Sequence, residues 1–391
     1  MDFSARQPIQ AQLRRWRLAL PHDGGVHRTI GRHPVVFLLL GALLLAAVGA
    51  GASAAADIPT TIEGASSTNL PEGTDANSVA VAADGTAWFG VSTEGGGPQL
   101  VRVRLGKIAA VRLPGGAKSG WTSQVTFDLA GNLWFVRKNP SGTAIVRRSP
   151  SGAISATRLP RGGLVTGLAP GPEGEAWFTR GYGGSGAIGR VSATGQVTTI
   201  PLARESIPSS VAVGADGAAW FTERRTNEVG RVTTTGDLQL FPLDPGTHPG
   251  QIVAGVDGAL WFAESGSPLP GGKRADRIGR IATDGTVSQF AIPFGESTVS
   301  LAADPRGVIW FTTEVGEISS ISPSGSLGAH GCLRTGCASR FGRIAVAPDG
   351  GIWFTASGEG CSGCGGGATL MQENLGTPFG EIPPGALAPP A

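Results

Sequence analysis

Histidine is scarce in this 391-residue chain: five in all, and only His248 and His330 beyond residue 56. A lone histidine fixes no catalytic geometry, and no Ser-His-Asp spacing, phosphate-cradling loop or strong metal motif occurs anywhere. Tyrosine occurs once against nine Trp, so the aromatic content is tied to something other than a generic core. Cysteine is missing until the last stretch, where Cys332, Cys337, Cys361 and Cys364 fall together in Gly-rich sequence. Their spacing passes for a zinc site, but in an oxidising compartment two disulfides are the expected state, with three pairings open. Excess positive charge is also missing where it would count. Residues 1–56 hold 6 of the 31 basic and 2 of the 29 acidic residues, leaving a body of 25 against 27, a formal net of −2. The body therefore offers no electrostatic case for nucleic acid.

Long apolar runs are absent too, with one exception. Val35 to Ala56 is uncharged and follows Arg6, Arg14, Arg15, Arg17, Arg28 and Arg32. The run is long enough to cross a bilayer with its basic flank kept cytoplasmic. Ala52-Ser53-Ala54 equally offers a signal-peptide cleavage site. Residues 1–33 read as a basic cytoplasmic segment and 34–56 as signal peptide or transmembrane anchor. Residues 57–376 read as the folded body and 377–391 as a Pro-rich tail. Either fate of the leader places the body outside the cytoplasm, touching membrane only through 34–56.

What the chain has in quantity is a repeat. Seven Trp-Phe pairs, beginning at Trp88, Trp134, Trp177, Trp220, Trp261, Trp310 and Trp353, each follow a glycine by three residues. Successive Trp residues stand 46, 43, 43, 41, 49 and 43 positions apart. A period of that length marks a repeat architecture. The clearest copy gives strands at Val211–Val213, Ala218–Glu223, Val229–Val232 and Leu238–Leu243, turned at Asp216-Gly217 and Thr235-Gly236. Four short antiparallel strands per period make one propeller blade, so the expectation is an all-β, seven-bladed, monomeric β-propeller preceded by an apolar helix. The Pro that ends the fourth strand (Pro114, Pro160, Pro201, Pro242, Pro293) suits an outer edge, and the Trp and Phe fill the space between blades. The last copy lacks clean third and fourth strands; the segment 58–70 or the tail is expected to supply the missing outer strand.

That geometry sorts the chemistry. Residues ending each Trp-Phe strand are expected to ring one channel mouth: Glu94, Arg137, Arg180, Glu223, Glu264 and Glu314. His248, in a loop entering an inner strand, joins them as a candidate general base or metal ligand. Its bland alternative is a loop His, and for the Glu residues the alternative is the capping of turns that recur with the repeat.

The string Asp-Gly-x-x-Trp-Phe-Thr-Glu, the Ile-Gly-Arg-Ile strand and the Phe-x-Leu-Pro ending resemble the streptogramin B lyases, also called virginiamycin B lyases. The matches run best over Asp216 to Val232 and Asp257 to Ile281, and more loosely over 75–356. The resemblance implies a seven-bladed propeller that opens a cyclic depsipeptide by eliminative cleavage of its ester. It also implies Mg2+ and a His/Glu site at one channel mouth, with His248 and Glu264 as the candidates for catalysis and Arg137, Arg180, Glu223 and Glu314 as ligand rim. The family's His closely following a strand-ending Glu is not found: Arg224-Arg225 follow Glu223, Ser265-Gly266 follow Glu264 and Val315-Gly316 follow Glu314. The implied partner is a small cyclic ester or peptide; the alternative is a propeller that binds a ligand, glycan or protein without catalysis.

Overall fold

The computed structural model describes residues 60–61, 66–69, 74–93, 100–114, 120–181, 185–266, 276–292, 297–314, 317–328, 331–332, 340–357 and 378–382. All belong to the unit Asp57–Ala391. The leader 1–56, with the apolar span expected at 34–56, lies outside the described residues, as do Glu94, His330, Cys337, Cys361 and Cys364. Cys332 is described only as backbone in the short strand Gly331–Cys332.

Every described element is a β-strand, and no described helix is long and apolar enough to cross a membrane. The unit of construction is a four-stranded antiparallel sheet whose strands follow chain order. Pro208–Val213, Ala219–Glu223, Glu228–Val232 and Leu238–Pro242 form one; Pro249–Ala254, Leu260–Glu264, Arg277–Ile281 and Val287–Ala291 form the next. Observed and expected strands agree to within a few residues. The units built on Trp88 and Trp134 merge into one eight-stranded sheet through a single pair, Ser92 with Trp121. The whole is consistent with a β-propeller.

Both chain ends enter the last sheet, ordered Arg340–Val346, Ile352–Ser357, Pro378–Ile382 and Ser66–Asn69. The tail expected to begin at 377 therefore supplies a strand to the last sheet, and the folded body extends past 376. Its strand takes the third place and the segment 66–69 the outer one, so the two candidate donors are used together. Sequence could not weigh them because neither carries the Trp-Phe signature.

The repeat residues have local reasons. Gly217 has φ +73°, the left-handed conformation that closes the hairpin without a Cβ penalty. Beside it, Asp216 Oδ1 accepts from the backbone N–H of Ala218 at 3.2 Å and from Trp220 Nε1 at 3.1 Å. Its Oδ2 accepts from Arg231 Nε at 2.7 Å, and the Arg231 guanidinium lies 5.8 Å above the Trp220 ring. Asp257, Trp261 and Arg280 repeat the arrangement. Turn, indole and third-strand arginine are thus one device. The glycine before that arginine has another role: a Cβ on Gly230 would overlap the Phe221 ring, as on Gly189 and Gly279 it would overlap Phe178 and Phe262.

The core sits between sheets. Trp220 packs with Ile252, Leu260 and Phe262 of the following sheet, and Trp261 with Leu301, Ile309 and Phe311 of the one after. Each buried ring removes roughly 150–250 Å² from water, an upper bound of about 4–6 kcal/mol apiece.

Candidate functional site

The first strands of the successive sheets enclose a cavity of about 1120 Å³. Its wall changes along its length. Toward the start of those strands it carries Gln124, Thr166, Ser210, Gln251 and Arg343; toward their turns it carries Phe127, Val213, Val253 and Val346. Arg224 and Ser265, from the loops that follow the Trp-Phe strands, border the polar end.

None of the described residues expected at the strand ends lines this cavity, and Glu223 and Glu264 stand one position before residues that border it. Glu223 and Glu264 are buried, at 2% and 1% exposed, and neither lines it. The cause is strand parity. In Leu260–Glu264 the side chains alternate between two faces, and Glu264 shares the face of Phe262, which packs against the preceding sheet. The second strand of a sheet presents its faces to neighbouring sheets, so the lumen is reached by the first strands and by residues just past the Trp-Phe strands. Hence Arg224 and Ser265 border it where Glu223 and Glu264 do not.

Glu223 is a loop clamp. Its Oε1 accepts from the backbone N–H of Ile207 at 2.6 Å and of Arg225 at 3.2 Å, and burial pushes its pKa above the ordinary carboxylate value despite those bonds. Glu264 accepts from Gln289 Nε2 on both oxygens, at 3.0 and 3.1 Å. Burial raises it to about 6, against the pull of the Gln289 bonds and of Arg277. Arg137 and Arg180 reach back to backbone carbonyls at the ends of preceding fourth strands, Nη1 donating to Pro114 at 2.7 Å and to Pro160 at 3.0 Å. Glu314 is exposed, its backbone N–H bonded to the Ser297 carbonyl at 3.0 Å.

His248 is half-buried, two residues before the cavity-lining Gly250. It is held in an uncommon conformation, φ +44°. Asn227 Oδ1 accepts from its backbone N–H at 2.8 Å, and its Nδ1 lies 3.4 Å from the Arg224 carbonyl. With Nδ1 as donor, Nε2 carries the lone pair. Structure thus brings His248 together with Asn227 and Arg224; Glu264 lies across the strand pair from Pro249, its carboxyl turned toward Gln289.

The Mg2+ implied by resemblance meets a poor donor set. Among the described residues no three His, Cys, Asp or Glu side chains gather to hold a metal, and both Glu264 oxygens are engaged by Gln289. These residues do not fit a resident ion.

Gln124, Asn227, Gln251 and Arg343 were missed in the sequence. A signal was present: the residue ten positions before each repeat Trp reads Ser78, Gln124, Gly167, Ser210, Gln251, Ser300, Arg343. Aligned on that position, the lone charge stands out.

Comparison with known proteins follows the same lines. The family model described as the virginiamycin B lyase family matches residues 65–356. A solved streptogramin B lyase structure is 26% identical, covers 83% of this chain and 97% of that one, and superposes with a TM-score of 0.65. A catalytically inactive histidine-to-alanine variant of virginiamycin B lyase from Staphylococcus aureus, with quinupristin, is 26% identical over 81% of this chain and 98% of that one, at a TM-score of 0.64. YCF48 bound to D1 peptide, 13% identical over 85% of this chain and 100% of that one, shares the fold alone at a TM-score of 0.58. No curated protein matches the sequence.

Proposed function

The chain belongs to the virginiamycin B lyase family, and from that premise we propose an exported, seven-bladed propeller that binds a small cyclic ester or peptide at the polar end of its channel. Seven Trp-Phe repeats support the blade count, and the apolar run at 34–56 supports export or anchoring. The observation that carries the reading is the posture of His248. A strained left-handed residue persists only when its surroundings hold it, and here Asn227 and the Arg224 carbonyl hold it next to the cavity border.

Eliminative opening of an ester needs a base that removes a proton β to the leaving oxygen. The released electron pair forms a C=C bond, the C–O bond breaks, and the ester leaves as a carboxylate. Among the described residues, His248 presents an imidazole beside the cavity border, and its Nε2 is placed to take that proton. Glu264, gripped by Gln289, serves to shape the loop seam beside it. The second reading, binding without cleavage, draws support from the residues that follow the strand-ending glutamates, Arg224-Arg225 after Glu223, Ser265-Gly266 after Glu264 and Val315-Gly316 after Glu314, none of which is the histidine the family resemblance implies.

Elimination adds no water, so the product is an isomer of the substrate. The test incubates the protein with a type B streptogramin, with and without Mg2+, and follows retention time and linear fragmentation by chromatography and tandem mass spectrometry. An isomeric linear product that disappears with His248→Ala supports cleavage. Calorimetric binding without product supports the second reading, and neither binding nor product sinks both.

A further inference from the structure

Arg343 lies on the wall of the channel, on the strand Arg340–Val346. Its Nη1 donates to Gln251 Oε1 at 2.8 Å. That amide is itself fixed, accepting from the backbone N–H of Leu301 at 3.2 Å and donating to the Leu301 carbonyl at 3.0 Å. No carboxylate among the described residues pairs with Arg343, whereas the third-strand arginines Arg231 and Arg280 pair with Asp216 and Asp257. Burial lowers its pKa, with no acidic neighbour acting to raise it. A guanidinium stays protonated even so. The channel wall therefore holds a half-buried positive charge with no counter-charge among the described residues, an arrangement that costs stability unless something answers it.

The other charges on the cavity wall sharpen the picture. Arg224, at the polar border, has the same sign. The one carboxylate, Asp128, belongs to a turn at the opposite end and is engaged by the Asn132 backbone N–H, Asn132 Nδ2 and Trp134 Nε1. Beyond Arg343 the wall turns apolar, with Phe127, Val213 and Val253. We infer that the channel binds an organic carboxylate, its charged end on the free guanidinium edge of Arg343 and its apolar body lying toward Phe127 and Val253. Planar guanidinium edges match carboxylates in two parallel hydrogen bonds. One half-buried cation followed along the wall by apolar side chains suits an organic monoanion better than inorganic phosphate. The inference stands whether or not His248 opens an ester.

The full chain, kept in mild detergent, is titrated with 4-fluorobenzoate and with its uncharged counterpart 4-fluorobenzamide, each followed by fluorine NMR. Benzoate is expected to bind at least tenfold more tightly than the amide, and excess inorganic phosphate should leave it in place. Arg343→Gln should weaken benzoate at least tenfold, Arg343→Lys less, and His248→Ala not at all. Equal binding of acid and amide, or displacement by phosphate, overturns the inference; so does a Gln variant that binds benzoate as the parent does, or a parent that binds no benzoate. The acid–amide comparison needs no variant, so a misfolded substitution leaves the test intact. Loss of ester opening in His248→Ala with benzoate binding retained would separate this site from the proposed catalytic one.

Discussion

The raised carboxyl of Glu264 makes a prediction with a sign that reverses. Burial lifts this group from an ordinary 4.5 to about 6. The folded protein thus binds the Glu264 proton more tightly than the unfolded chain does. Stability from this group is greatest below about pH 4.5, where both states are protonated, and declines as pH climbs through 6. At about 1.4 kcal/mol per tenfold in proton affinity, the decline amounts to about 2 kcal/mol, complete above pH 7. Glu264→Gln removes the titration. It also exchanges one acceptor oxygen for an amide nitrogen facing the Gln289 Nε2 donor, costing about 1 kcal/mol at every pH.

Those two magnitudes compete, and the competition decides the outcome. At pH 4.5 the variant should be less stable than the parent by about 1 kcal/mol; at pH 8 it should be more stable by about the same amount. The curves cross between pH 5 and 6.5. Urea unfolding followed by tryptophan fluorescence across pH 4.5 to 8 reads the difference directly. Glu223, also raised by burial, is common to both proteins and cancels. Parallel curves across that window would refute the argument, because they would mean Glu264 ionises as freely in the fold as in water.

Three further outcomes follow from the same contacts. Gly230→Ala should cost about 1–3 kcal/mol by driving a methyl into the Phe221 ring, and Phe221→Leu in the same chain should recover part of that loss; a neutral single variant in urea unfolding would show that the ring can move aside. Asp257→Asn should cost about 1–2 kcal/mol at pH 7 by breaking the Arg280 pair. Burial alone would raise Asp257, but bonds from Arg280, Trp261 and the Ala259 backbone hold it below 3.8, so its stabilisation is lost as pH falls below 3.8, and the parent and variant should converge there in acid unfolding. His248→Gly should leave stability unchanged or raise it by up to about 1 kcal/mol, since glycine adopts φ +44° freely, whereas His248→Val should lose about 1–2 kcal/mol; equal thermal midpoints for all three would remove the strain from the reading of the site.

The fold was legible because its determinants are local and repeated. A turn needing positive φ calls for glycine at Gly217, an aspartate beside it takes the Trp220 indole and the Arg231 guanidinium, and a ring on Phe221 forbids a side chain at Gly230. Each requirement recurs with the period, so the pattern announces itself. The closing sheet was half hidden because its outer strands, Pro378–Ile382 and Ser66–Asn69, come from opposite ends of the chain and carry no repeat motif.

The site resisted for the opposite reason. What makes a binding position in a repeat protein is departure from the pattern, and departures are visible only once the right column is aligned. Counting from the Trp-Phe pair led to Glu223 and Glu264, whose parity turns them into the seams between sheets. Counting ten positions back from each repeat Trp, into the inner strand, leads instead to the position that faces the lumen, where serine, glutamine and glycine give way once to arginine. A packing residue repeats because every seam needs it. A charge on the channel wall costs desolvation, so its one occurrence in that column, at Arg343, with no carboxylate beside it among the described residues, is the feature that packing cannot account for and a bound anion can.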